Sequence, residues 1–146
     1  MITFDDLSVG QRFPFAGRTL SQDEIIAFAK DFDPQSFHID TEKAKHSPFG
    51  GIIASGWHTC AIMMRMLCDA WVSNSTSVGS PGIDELKWAH PVRPGDTLSG
   101  YAEVLALKPS KSKPDRGIVQ VLLLLKNQHD QTVLEMKAHI IFLKRA

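Results

Sequence analysis

The chain has 146 residues, 43% hydrophobic and 22% charged, and its 16 basic and 16 acidic side chains cancel. That length can bury a real core within one domain, and the composition lies well away from disorder. Zero net charge removes the electrostatic case for nucleic acid or an anionic membrane as partner, and it leaves little repulsion to oppose self-association.

The opening Met1-Ile2-Thr3-Phe4-Asp5-Asp6 lacks the basic and apolar regions of a signal peptide, so the cytoplasm is the expected compartment. Ser21-Gln22-Asp23-Glu24 reads as a capping box, and Ile25, Phe28, Ala29 and Phe32 follow on one helical stripe. Pro34 disfavours helical geometry at Asp33, which predicts a helix ending at about Phe32 with the Asp33 carboxylate at the mouth of a loop. A short helical turn is expected over Thr41 to Lys45, before Pro48-Phe49-Gly50-Gly51 breaks the pattern.

From Ser55 to about Val72 the sequence is apolar on most faces, which predicts a core helix. His58, Arg65 and Asp69 within it argue against a membrane span. Cys60 and Cys68 lie eight residues apart on that helix, roughly 12 Å of rise, too far for a disulfide. They read as small core hydrophobes in a reducing compartment.

The period then changes from helix to strand. Gly82 to Ala89 and Asp96 to Leu107 read as strands separated by the turn Arg93-Pro94-Gly95-Asp96. Val119 to Lys126 is a continuous apolar run, as in a strand covered on both faces. Thr132 to Leu143 alternates cleanly, with Leu134, Met136, Ala138, Ile140 and Phe142 on one face. Asn127 to Asp130 forms a tight turn between these two strands. A buried helix followed by four antiparallel strands implies an α+β architecture, a curved sheet wrapped round the helix.

Two segments could carry chemistry. Asp33 and His38 are a carboxylate and an imidazole five residues apart, able to share proton transfer. The spacing alone fits equally a loop in which Asp33 makes an Asx-turn and His38 packs its ring. At Ser55-Gly56-Trp57-His58 the long helix begins, where a free N–H at Gly56 could hold a developing oxyanion and Ser55 could simply cap. His58 reads as a hydrogen-bonded helix residue. No arrangement of the histidines with Cys60 or Cys68 has the spacing of a metal site. The basic stretch Lys108 to Arg116 reads as a solvated hairpin loop, with a phosphate-bearing ligand as the alternative.

Asp33-Pro34-Gln35-Ser36-Phe37-His38 resembles the Asp-x-Asn-Pro-(Leu/Ile)-His motif of the MaoC-like dehydratases, the R-specific enoyl-CoA hydratases of the hotdog fold. Gly56 falls where that family has the glycine of its His-Gly-Met segment. Leu7 to Phe13 and Pro91 to Leu98 are similar to two further family segments, so the likeness runs over nearly the whole chain. Gln35, Ser36, Phe37, Ser55 and Trp57 depart from the motifs, and Met64 stands where some members carry a serine.

The resemblance implies one hotdog domain over residues 1–146, with a long central helix and a curved antiparallel sheet. It implies hydration of an enoyl thioester or dehydration of a 3-hydroxyacyl thioester, with acyl-CoA as the substrate and no cofactor. Asp33 and His38 would be catalytic, Gly56 the oxyanion donor, and Gln35, Ser55 and Trp57 substrate contacts. Trp57, Met63, Met64 and Trp71 would shape the acyl pocket or sit in the core. A homodimer joined edge to edge, or a higher homo-oligomer, is implied as well. The competing readings are a hotdog thioesterase and a catalytically silent acyl-CoA-binding module.

Overall fold

In the structure, a computed structural model describing residues 1–146, the first long helix α1 spans Gln22–Phe32. Ser21 caps it by accepting the Glu24 N–H. The reciprocal half of the capping box is not made, because the Glu24 carboxylate turns towards Arg18, 3.8 Å away. Two single turns follow, α2 (Ser36–Ile39) and α3 (Thr41–Lys45), and Asp40 caps the second with its carboxylate. Then comes the central helix α4, Gly56–Ala70, capped by Ser55.

Five strands form one antiparallel sheet, β1 (Arg12–Thr19), β2 (Gly82–Lys87), β3 (Thr97–Pro109), β4 (Arg116–Lys126) and β5 (Thr132–Leu143), in the order β1-β3-β4-β5-β2. This is the hotdog arrangement, with one strand more than the four expected. The additional strand is β1, an edge strand carrying Pro14 and a bulge between Phe15 and Arg18. A proline is tolerated there because the edge asks for no ladder N–H on its outer side. The β4–β5 turn closes with Asp130 at φ 61°.

A continuous core runs from Phe4 to Phe142 between α4 and the concave face of the sheet. Trp71 belongs to it, stacked between Phe13 and Phe142. Two expectations are corrected here. β4 is not covered on both faces: Val119, Val121, Leu123 and Leu125 are buried, while Ile118, Gln120, Leu122 and Leu124 are half-exposed on the convex side. Nor is α4 buried all round. Its buried side is His58, Thr59, Ile62, Met63, Met66 and Leu67, whereas Trp57, Met64, Arg65 and Asp69 face outward. Cys60 and Cys68 are free thiols, both half-buried. No helix is long and apolar enough to cross a membrane.

Candidate active site

Asp33 is the C-cap of α1, its N–H bonded to the Ala29 carbonyl at 2.8 Å. Pro34 ends the helix there and the chain turns directly into α2, which carries His38 back towards Asp33. Within that turn Gln35 donates its side-chain amide to Asp33 Oδ1 at 2.7 Å. His38 Nε2 stands 3.2 Å from Asp33 Oδ2. The other ring nitrogen, Nδ1, lies 2.7 Å from the Ile53 carbonyl oxygen. A carbonyl can only accept, so Nδ1 carries a proton and Nε2 is the nitrogen that exchanges one with Asp33 or with a ligand.

The second wall is the start of α4. Ser55 donates its hydroxyl to Asp33 Oδ2 at 2.7 Å and accepts the Trp57 N–H at 3.3 Å. Gly56, the first helical residue, has no acceptor four residues back within the helix for its N–H. The Asp33 carboxyl feels opposing influences. Burial pushes it up, but hydrogen bonds from Gln35 and Ser55 and the nearby His38 outweigh burial and hold it below the usual carboxylate range.

Asp33, Gln35, His38, Gly56 and Trp57 line one cleft of about 350 Å³. Ser55 does not line it; it is fully buried behind Asp33, which corrects its expected role as a substrate contact. The segment Trp88 to Val92, which follows β2, supplies the opposite rim together with Phe49, and Trp88 and His90 there were not foreseen as site residues. Trp88 donates its indole N–H to the Gly56 carbonyl at 2.9 Å and meets Trp57 edge to face at 5.1 Å. The Lys-Trp-Ala-His-Pro run just ahead of the turn at Arg93 was the available signal for this rim, since chain leaving an edge strand is free to fold over a cleft.

Other expected features fall elsewhere. Asp96, in the segment resembling a family hallmark, accepts the Arg93 N–H at 2.9 Å and the Gln128 amide at 2.9 Å, so it fastens the turn rather than facing the cleft. Val92 from the same segment ties in through the Ala54 N–H at 2.8 Å. His58 lies outside the cleft, stacked on Phe28 at 4.5 Å with its Nδ1 buried and unbonded, not hydrogen-bonded as expected. Met63 and Met64 border a separate apolar cavity of about 240 Å³ with Leu67, Leu123 and Met136. The basic loop around Lys111 is the exposed β3–β4 hairpin tip, at the end of β3 remote from this cleft. No group of three or more His, Cys, Asp or Glu side chains converges as a ligand set.

The MaoC-like domain model matches residues 6–126 of the chain. This protein belongs to the MaoC-like family. The crystal structure of a MaoC-like dehydratase from Rhodospirillum rubrum superposes with a TM-score of 0.93 at 44% identity, over 100% of this chain and 99% of that one. An uncharacterised protein, YdeM of Bacillus subtilis, is 34% identical over 94% of this chain and 96% of its own. The (R)-specific enoyl-CoA hydratase of Rhodospirillum rubrum is 29% identical over 74% of this chain and 73% of its own. A hydratase and a dehydratase are thus among the proteins that this chain resembles.

Proposed function

We propose that the protein is a hydro-lyase of acyl thioesters, interconverting an enoyl-CoA and a 3-hydroxyacyl-CoA. The observation that carries this reading is the Asp33–His38 pair at 3.2 Å sharing a cleft with Gly56, the first residue of α4. With the thioester oxygen at Gly56, the helix-start N–H stabilises the enolate-like charge that develops in the transition state. Asp33 Oδ2 and His38 Nε2 then face the carbons next to that carbonyl and hold one water between them. In hydration the water's oxygen bonds to the β carbon, its proton passes to the dyad, and the dyad returns a proton to the α carbon. Dehydration runs the same steps backwards. The thioester is itself the activating group, so the scheme needs no cofactor.

The apolar cavity beside Met63 and Met64 lies further along α4, about 6 Å of helix rise beyond Thr59 of the cleft, and suits an acyl tail. Cys60 and Cys68, both free, fit work in the reducing cytoplasm. A homodimer is the proposed assembly.

The test follows the enoyl-thioester absorbance across acyl chain lengths. Asp33→Asn and His38→Ala are each expected to lower kcat by about 10²–10⁴-fold. Full activity in both variants overturns the assignment, and release of free thiol from acyl-CoA would make the protein a thioesterase instead.

A further inference from the structure

The residue that joins the two halves of the site reaches neither solvent nor the cleft. Ser55 is fully buried, and its hydroxyl proton goes to Asp33 Oδ2 at 2.7 Å across 22 residues of sequence. A buried serine that only capped α4 would use its oxygen as an acceptor and could give its own proton to any nearby carbonyl. Here it does both, taking the Trp57 N–H on one side and holding the carboxylate on the other. Its carbonyl in turn accepts the His58 and Thr59 N–H groups at 3.0 and 3.2 Å, so the residue is locked to the first turn of the helix. The next peptide N–H is that of Gly56.

Building on the hydro-lyase reading, we propose that Ser55 is a positioning residue whose hydroxyl fixes the Asp33 carboxylate in register with the oxyanion donor at Gly56. One rigid side chain thereby sets the distance between the proton-transferring group and the charge-stabilising group. A loose carboxylate at that spot would lose the alignment on which the rate depends. The hydroxyl also favours the ionised form of Asp33, because a hydrogen bond donated to a carboxylate stabilises its charge. The titratable side chain facing Asp33 is His38 from α2, and His90 lines the same cleft from the rim. α4 and its cap present only uncharged residues in this quarter, Ser55, Gly56, Trp57 and Thr59.

Glycine is tolerated at a helix N-cap almost as well as serine, so Ser55→Gly removes the hydroxyl with little cost to folding. The expected result is a kcat lower by about tenfold or more with KM nearly unchanged, and an acidic limb of the pH profile displaced to higher pH. Ser55→Thr, which keeps the hydroxyl, restores both. A serine acting only as a cap would leave the pH profile and the kcat of the folded Ser55→Gly protein in place, and that result overturns the inference. The Asp33 carboxyl titration, read by carbon NMR without substrate, gives a readout independent of turnover. If the wild type converts no enoyl or hydroxyacyl thioester yet this titration moves up in Ser55→Gly, the reaction assignment fails while the hold of Ser55 on Asp33 stands. An unmoved titration in a folded variant overturns the hold itself.

Discussion

Gly56 shows how much one missing side chain decides. A Cβ placed there would fall 2.5 Å from Trp88 Cε2 and 2.7 Å from Nε1, because the indole lies directly against the start of α4 and bonds to the Gly56 carbonyl. The glycine is therefore required by packing as well as by the chemistry proposed for its N–H. In an ordinary helix position, glycine to alanine is favourable by about 0.5–1 kcal/mol. Here the same change forces the indole away and should cost about 1–3 kcal/mol. A double-mutant cycle in urea separates the two effects. Gly56→Ala is expected to destabilise the wild type, and to be neutral or stabilising in a Trp88→Ala background. Equal costs in the two backgrounds would show that Trp88 does not impose the glycine.

At the scale of elements, α1 and α4 meet through the stack of Phe28 on His58. Burial lowers the His58 pKa below its ordinary 6.5; Glu24 opposes this and Arg18 reinforces it. A base whose folded pKa is depressed takes up its proton first in the unfolded chain. Its contribution to stability is thus complete above pH 6.5 and is lost as the pH falls below that value towards the folded pKa. Denaturation midpoints should drop between pH 7.5 and 5.5, and His58→Phe, which keeps the stack without the charge, should reduce that drop. An identical drop in the variant would show that the acid sensitivity arises elsewhere. The elements themselves differed in how well the sequence announced them. β5 coincides with Thr132 to Leu143 because its alternation is unbroken, and α1 ends at Phe32 because Pro34 enforces it. β1 was silent, since Pro14, Gly17 and its bulge destroy the period-2 pattern that marks a strand. Asp33, His38 and Gly56 were legible through the motif, and the structure brings them to one cleft. The bond from Ser55 to Asp33 was not legible, because nothing local in a sequence reveals which distant carboxylate will receive a buried hydroxyl proton.

Over the whole molecule, the outward face of α4 and the free edge of the sheet form one continuous problem. Trp57 (58% exposed), Met64 (46%), Ile83 (53%) and Trp88 (45%) are large hydrophobic side chains left in water. Trp57 and Met64 lie seven residues apart on one side of the helix, Trp57 touches Trp88, and Met64 and Ile83 border the same apolar cavity. Beside them runs β2, which pairs with β5 on one side and has no partner strand on the other. Its charges are already satisfied within the subunit, Asp84 by His139 at 2.5 Å and Glu85 by Lys87 at 2.7 Å. An unpaired edge flanked by exposed indoles is a surface that proteins cover. The opposite edge, β1, is protected by Pro14 and its bulge, which interrupt the ladder an incoming strand would need. The proposed homodimer should therefore form across β2, with the mouth of each cleft at the seam because Trp57 and Trp88 belong to both. Sedimentation at micromolar concentration should give a dimer for the wild type, a monomer for Met64→Glu combined with Ile83→Glu, and a dimer still for Arg18→Glu on β1. A monomeric wild type, or a dimer lost in Arg18→Glu and kept in the β2-side variant, would move the interface away from this edge and leave the four exposed side chains without a partner.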